Sequence, residues 1–127
     1  MIWIKVASAM KFNSDTGGAE RAYPLAVDDS GFRVKEPVVA LVITDRSSAN
    51  AKAGARIEHG ASADSAWFAI QSTPIAVATF GAPPLTATGS GGTSPALLPY
   101  FRTVVLAQGS GAAEWFVADV YVGGKPF

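Results

Sequence analysis

Short β-rich runs separated by turn residues, with no sustained helical period, constrain most strongly what this chain can fold into. The clearest run is Pro37 to Thr44, which is β-branched and apolar on both faces, as a buried strand is. The other runs of strand character are Ile2 to Ala7, Ala55 to Gly60, Ser65 to Gln71, Ile75 to Phe80, Tyr100 to Gln108 and Ala113 to Val122. This spacing predicts a single antiparallel β-sandwich, jelly-roll-like or immunoglobulin-like, with little or no helix.

The 127 residues are predicted to form one sandwich domain with two long loops, at 8–36 and 81–99. Clusters of glycine, proline and serine mark both segments as loops. Loops of this length are usually functional or disordered. The glycines of Gly109-Ser110-Gly111 predict a hairpin between the last two strands.

Both faces of the last two predicted strands carry large apolar residues, although a strand with one solvated face should alternate. Either the long loops fold over the second face, or a neighbouring subunit covers it. Trp67 and Trp115 are expected at the edge of the core or in an interface. The predicted core consists of Val39, Leu41, Ile43, Phe68, Ile70, Val77, Val104, Leu106, Phe116, Val120 and Val122.

Composition argues against several classes of function. Ten basic residues balance ten acidic ones, so the chain lacks the charge that binds nucleic acid or anionic membranes. The chain has no cysteine and one histidine, which excludes thiolate chemistry and leaves few metal ligands. Its longest apolar stretch is far shorter than the ~20 residues of a membrane-spanning helix. We therefore expect no cofactor, no metal, no nucleic acid and no membrane partner.

The candidate catalytic residues give little indication of an active site. His59, Ser62 and Asp64 lie within six residues, but a catalytic triad normally converges from separate elements. A pair of carboxylates for glycoside hydrolysis would have to be assembled across the sheets, from Glu58 with Glu114 or Asp119. Nothing in the sequence requires that arrangement, and we expect a protein that is not an enzyme.

Aromatic residues are the remaining candidates for function. Trp3, Trp67 and Trp115 could together stack on a sugar, although tryptophans in a small sandwich more often belong to the core or an interface. The predicted interface residues are Trp3, Tyr23, Trp67, Tyr100, Trp115, Tyr121 and Phe127.

Residues 55–124 carry an ordered series of strand and turn motifs. In chain order these are Arg56-Ile57-Glu58-His59, Ser62-Ala63-Asp64-Ser65-Ala66-Trp67, the loop Thr86 to Gly92, Leu98-Pro99-Tyr100-Phe101-Arg102, and the Gly109-Ser110-Gly111 turn followed by Val120-Tyr121-Val122. The series resembles small all-β structural proteins of tailed bacteriophages. The resemblance implies a β-sandwich located in the virion, such as a capsid decoration or cement protein, and it carries no catalytic residues.

Such a protein would bind capsid or other virion proteins and form a homo-oligomer. The alternative function is a carbohydrate- or cell-surface-binding sandwich of a phage tail or fibre. That alternative predicts an exposed aromatic pair on one loop edge.

Overall fold

The protein is described by a computed structural model over residues 1–27, 34–61, 66–90 and 100–126. These residues contain one short 3₁₀ turn, Thr16–Gly18, and no α-helix. Their strands are β1 (Ile2–Asn13), β2 (Arg21–Val27), β3 (Lys35–Arg46), β4 (Lys52–Gly60), β5 (Phe68–Thr79), β6 (Leu85–Ser90), β7 (Tyr100–Gln108) and β8 (Trp115–Lys125).

The strands form two antiparallel four-stranded sheets. Their orders are β1-β8-β3-β6, the first sheet, and β2-β7-β4-β5, the second sheet. Eight strands divided in this order make a jelly roll, a double-sheet architecture of two Greek keys. The predicted antiparallel β-sandwich is therefore confirmed, and the jelly roll is the correct one of the two predicted forms.

The core lies between the inner faces of the two sheets. Phe12 and Phe116 are fully buried near one end of this core with ring centroids 5.3 Å apart, and Phe80 contacts Phe116 edge-on at 5.9 Å. The predicted core residues that are fully buried in this cluster are Val39, Leu41, Ile43, Phe116, Val120 and Val122. The β-branched and aromatic residues of β3 and β8 thus form the strands expected from their apolar character.

The predicted core residues of β7 are buried, but on the face away from the inter-sheet cluster, and the prediction for Phe68 of β5 is wrong. Phe101 and Val105 of β7 face the core cluster, whereas Val104 and Leu106 are buried on the outer face of the second sheet. Both faces of β7 are apolar, so alternation alone could not distinguish them. Phe68 is 59% exposed because it begins β5 at the end of the sheet.

Two further predicted core residues are half-buried. Ile70 packs against the core cluster from β5. Val77 lies beside Gly54 of β4, where a Cβ on that glycine would overlap its side chain. Both residues belong to an edge strand, which has a neighbour on one side and therefore buries less of each side chain.

The two predicted long loops are wrong in part. Residues 8–36 include the second half of β1 and all of β2, and residues 81–99 include β6. A sequence pattern assigns these strands to loops because of Pro24 and the polar Thr86-Ala87-Thr88 run. Edge strands, however, tolerate proline and need little apolar character. Residues 28–33 and 91–99 lie outside the described residues.

The predicted hairpin between the last two strands is also wrong. The turn at Gly109–Gly111 connects β7 of the second sheet to β8 of the first, so it crosses the sandwich. Gly109 donates its amide to the carbonyl of Gly18, 3.0 Å away, which ties this crossing to the turn before β2. The glycines are used for close backbone approach, and a Cβ on Gly109 would overlap the carbonyl of Ala112.

Candidate functional site

The outer face of the first sheet carries three of the seven predicted interface residues. Trp3, Trp115 and Tyr121 all point away from the core, on β1 and β8. With their neighbours on the same face, these residues form what we call the aromatic face. Its members are Trp3, Lys5, Lys11, Val38, Val42, Trp115, Val117, Asp119 and Tyr121.

Trp3 lies over a glycine. It pairs with Gly123 across β1 and β8, and a Cβ on Gly123 would overlap the indole. The missing side chain lets the ring lie flat on the sheet, an arrangement that compensates for a glycine near a sheet edge. Trp3 is still 45% exposed, so one side of the ring remains in water.

Two lysines of β1 lie over the other aromatics of this face. The Lys5 Nζ is 5.6 Å from the centre of the Tyr121 ring, and the Lys11 Nζ is 4.6 Å from the Trp115 ring. Cations over ring faces are favourable, and their aliphatic stems cover apolar surface. The aromatic face therefore combines apolar area with positive charge.

Asp119 holds the bulge that separates these lysines. Its Oδ1 accepts a 2.6 Å hydrogen bond from the Ala9 amide, and its Oδ2 lies 3.7 Å from the Lys5 Nζ. Ala9 has a φ of 47°, in the left-handed region, where the β1–β8 register shifts. The carboxylate therefore stabilises the bulged backbone of β1 and pairs with Lys5 on the aromatic face.

The second sheet carries a smaller polar group on its outer face, which we call the arginine cluster. Glu58 of β4 is 8% exposed and accepts bonds of 2.7 Å from the Nε atoms of Arg56 and Arg102. The guanidinium of Arg102 lies 4.4 Å from the centre of the Trp67 ring. One carboxylate thus orients two arginines, one of which is stacked on an indole.

The pKa of Glu58 reflects these contacts. Burial alone would raise it, but the hydrogen bonds and charges of Arg56 and Arg102 outweigh burial and lower the pKa below its ordinary value. The next residue, His59, is half-buried, and burial lowers its pKa. Glu58 is therefore ionised near neutral pH and serves as a structural anion.

The other predicted interface residues are distributed differently. Tyr23 packs edge-on to Phe12 at 5.3 Å, and its hydroxyl accepts from the Asn13 amide and donates to the Asn13 carbonyl. Its role is to join β1 to β2. Tyr100 is 37% exposed at the start of β7, and Phe127 lies outside the described residues.

The three tryptophans do not form one platform. Trp3 and Trp115 lie at opposite ends of the first sheet, since eight residues of β8, about 26 Å of strand, separate Trp115 from Gly123. Trp67 stacks on Arg102 at the second sheet. No single sugar can therefore contact all three.

The proposed carboxylate pairs are not brought together either. Glu58 is on the outer face of the second sheet, whereas Asp119 is on the outer face of the first. Glu114 accepts hydrogen bonds from the hydroxyls of Ser47 and Ser48, just before β8. Since Glu58 contacts Arg56 and Arg102 of the second sheet and neither of the other two carboxylates, this arrangement does not supply the paired acid and base of a glycosidase.

The arginine cluster and the lysines of the aromatic face were not predicted from the sequence. Arg56 and Glu58 are two residues apart in β4 and so share a face, a signal the sequence contains. Arg102 joins them only through the β4–β7 pairing, which sequence alone does not reveal. Ser62 and Asp64, which were considered with His59, lie outside the described residues.

No helix in residues 1–27, 34–61, 66–90 or 100–126 has the length and apolarity of a membrane span. Over the same ranges, no three residues of His, Asp or Glu cluster in a way that could hold a metal ion.

Comparison with known proteins gives structural similarity without sequence similarity. No protein-family model matches the chain, and no curated protein sequence matches it either. A chain in the structure of infectious bursal disease virus strain Gx matches with a TM-score of 0.54 at 13% identity, over 95% of this chain and 32% of that one. The VP2 chain of the subviral particle of the same virus gives 0.52 at 12% identity, over 95% and 31%.

A third match is TmCBM61, whose structure is a complex with β-1,4-galactotriose. Its TM-score is 0.44 at 9% identity, over 92% of this chain and 70% of that one. The chain spans about a third of the length of the two virus chains. At these identities the similarity concerns the fold alone, the double-sheet jelly roll.

Proposed function

We propose that this jelly roll is a structural protein of a virus particle, and that it acts through protein–protein contacts without catalysis. The specific role we propose is that of a decoration or cement protein on the head of a tailed bacteriophage. The capsid-like fold supports a role in the virion, and the motif series of residues 55–124 supports the decoration role.

The observation that carries the proposal is the aromatic face. Trp3 is 45% exposed, and Val38, Val42, Trp115 and Tyr121 are half-buried on the same outer face. Aromatic residues are enriched in the buried centres of protein interfaces, whereas isolated surface hydrophobics need no explanation. A neighbouring virion protein covering this face would bury the exposed side of these rings.

Such a contact does not need high affinity in each copy. A decoration protein is present many times on one shell, so modest binding at each site is multiplied by the number of linked contacts. The two lysines on the aromatic face favour a partner surface with acidic residues, because charge complementarity speeds and orients association.

The test is binding to capsids assembled without this protein. Wild-type chain should co-sediment with these capsids and raise the temperature at which they release DNA. Trp3→Ala and Tyr121→Ala should each weaken binding by about 10- to 100-fold, as expected for aromatic residues at the centre of an interface. Tyr100→Ala, on the other sheet, is the matched control and should bind as wild type does.

Two results would overturn the proposal. The first is that wild-type protein neither binds these capsids nor changes their thermal stability. The second is that the aromatic-face variants bind as well as the control while remaining folded by circular dichroism.

A second candidate function rests on a different observation. Phe68 is 59% exposed and Tyr100 is 37% exposed, at the same end of the second sheet, beside Trp67. The carbohydrate- or cell-surface-binding alternative predicts such an exposed aromatic pair. A glycan array probed with wild type and with Phe68→Ala tests it, and binding that disappears in the variant would favour this function over the decoration role.

A further inference from the structure

The four edge strands of the sandwich differ in how well they are protected against pairing with another chain. An unprotected edge exposes backbone amides and carbonyls that can pair with a foreign strand, and proteins block this with charges, prolines and bulges. In β1 the edge is interrupted by two register shifts and carries Lys5 and Lys11. Arg21 and Pro24 protect β2, and three register shifts and Pro74 interrupt β5.

The edge strand β6 has none of these protections. It pairs with β3 through six consecutive residues without a register shift, from Leu85 with Ile43 to Ser90 with Val38. Its sequence, Leu-Thr-Ala-Thr-Gly-Ser, contains no charge and no proline. In the part of the chain that the structure describes, no strand pairs with its other side.

The surroundings of β6 are also free of charge. No Asp, Glu, Lys or Arg occurs from Ser65 to Phe101, a run in which the chain's 16% charged content would place about six. The run contains both β5 and β6, which adjoin where the backbone of Pro74 meets Gly89. Strands β5 and β6 therefore carry no charged side chain, a composition typical of the centre of an interface.

We propose that two copies of this chain associate by antiparallel pairing of their β6 strands about a two-fold axis. The first sheets of the two copies then join into one eight-stranded sheet, β1-β8-β3-β6-β6-β3-β8-β1. The neutral β5 strands of the two copies face each other beneath this junction.

The side chains of β6 fit this self-pairing. Thr86 and Thr88 are exposed on the outer face, while Leu85, Ala87 and Gly89 face the core side. A two-fold register that keeps each face on its own side places Thr86 of one copy opposite Thr88 of the other, and Ala87 opposite Ala87. Threonine pairs across strands are favourable, and no like charges meet.

Self-pairing of β1 does not share this advantage. Two copies of β1 in antiparallel register would place Lys5 near Lys11 of the other copy, and like charges opposite each other are destabilising. Pro24 and Pro74 lack the amide donors that a continuous ladder needs in β2 and β5. A second copy of this chain is therefore the partner that the uncharged, hydroxyl-bearing β6 edge fits best.

The test uses paired charge substitutions on exposed positions of β6. The wild-type chain at about 100 µM should sediment with twice its 13.1 kDa monomer mass. Thr86→Lys with Thr88→Lys places lysine opposite lysine and should weaken the dimer by more than about tenfold. Thr86→Asp with Thr88→Asp should do the same, and an equal mixture of the two variants should restore the dimer.

The matched control adds two lysines to a different edge, by Ala22→Lys with Ala26→Lys on the exposed side of β2, and it should remain dimeric. Recovery of the dimer in the mixture also shows that both charged variants are folded. A monomeric wild type, or a dimer unaffected by either β6 variant, would overturn the proposal. These sedimentation results do not depend on capsid binding, so they test the β6 dimer independently of the proposed function.

Discussion

At the scale of single residues, Gly123 shows how one missing side chain shapes the aromatic face. Gly123→Ala should cost about 1–3 kcal/mol of stability, because the new Cβ would displace the indole of Trp3. In a Trp3→Ala background the same substitution should cost much less, since the three atoms nearest to the new Cβ all belong to the Trp3 indole. Gly81→Ala is the control, as a Cβ there meets no atom within 4 Å. Urea unfolding of Gly123→Ala, Trp3→Ala, the double variant and Gly81→Ala measures this coupling. An equal loss of unfolding free energy from Gly123→Ala in the wild-type and Trp3→Ala backgrounds would contradict it.

Glu58 provides a residue-scale prediction about pH. Its pKa is lowered in the folded chain, so its contribution to stability is present above the ordinary carboxyl pKa of 4.5 and is lost as pH falls through the lowered value. Glu58→Gln should cost about 1–3 kcal/mol at neutral pH, because it removes two charge-assisted bonds.

The measurement for Glu58 is the urea midpoint of wild type and variant at pH 7 and pH 3. The gap between them should narrow at the lower pH, because the contribution of wild-type Glu58 begins to be lost once the pH falls below the ordinary carboxyl pKa of 4.5. Glu36→Gln is a milder comparison, since Lys125 lowers the pKa of Glu36 at a more exposed site. A gap that stays constant or widens between the two pH values would show that the arginine cluster does not hold Glu58 ionised.

At the scale of elements, β8 separates its two faces residue by residue. Phe116 is fully buried against Phe12 and Phe80, whereas its neighbour Val117 is half-buried on the aromatic face. Phe116→Ala should therefore cost about 3–5 kcal/mol, and Val117→Ala less than about 1.5 kcal/mol. Thermal or urea unfolding of both variants checks the assignment, and similar losses for the two would mean that the faces are not distinguished.

The same strands show what the sequence can and cannot predict about this fold. The β-branched run in β3 identifies a buried central strand, because that pattern depends only on local composition. Strands β2 and β6 are not recognisable, since edge position relaxes the need for apolar residues and depends on strands distant in sequence. The Gly109–Gly111 turn has hairpin chemistry, yet its strands belong to different sheets, because turn residues do not determine which strands pair.

The candidate site was predictable to the same limited degree. Aromatic residues could be selected as interface candidates by type, and three of them share the outer face of the first sheet. Strand order separates these three from Trp67 and Tyr100, which belong to the second sheet. Tyr23 has a structural role instead, because its hydroxyl is bonded to Asn13. Residue type therefore predicts which side chains can act, and the jelly-roll topology determines which of them act together.

At the scale of the whole molecule, the jelly roll depends on its last strand. Strand β8 is central in the first sheet, where it pairs with β1 on one side and β3 on the other, and it supplies Phe116, Val120 and Val122 to the core. A chain ending at residue 110 should therefore be unfolded, because it loses two ladders and part of the core together. A chain lacking only residues 1–5 loses one end of an edge strand and should keep its β-sheet circular dichroism spectrum.

The sharper measurement adds the missing strand in trans. A synthetic peptide of residues 112–126, mixed with the chain that ends at residue 110, should restore the β-sheet spectrum and the cooperative unfolding transition, since the strand completes an otherwise consistent sandwich. A peptide with Phe116→Asp and Val120→Asp is the matched control and should restore neither, because it would bury charge in the core. If the shortened chain folds cooperatively without any peptide, β8 is not the strand on which the two sheets depend.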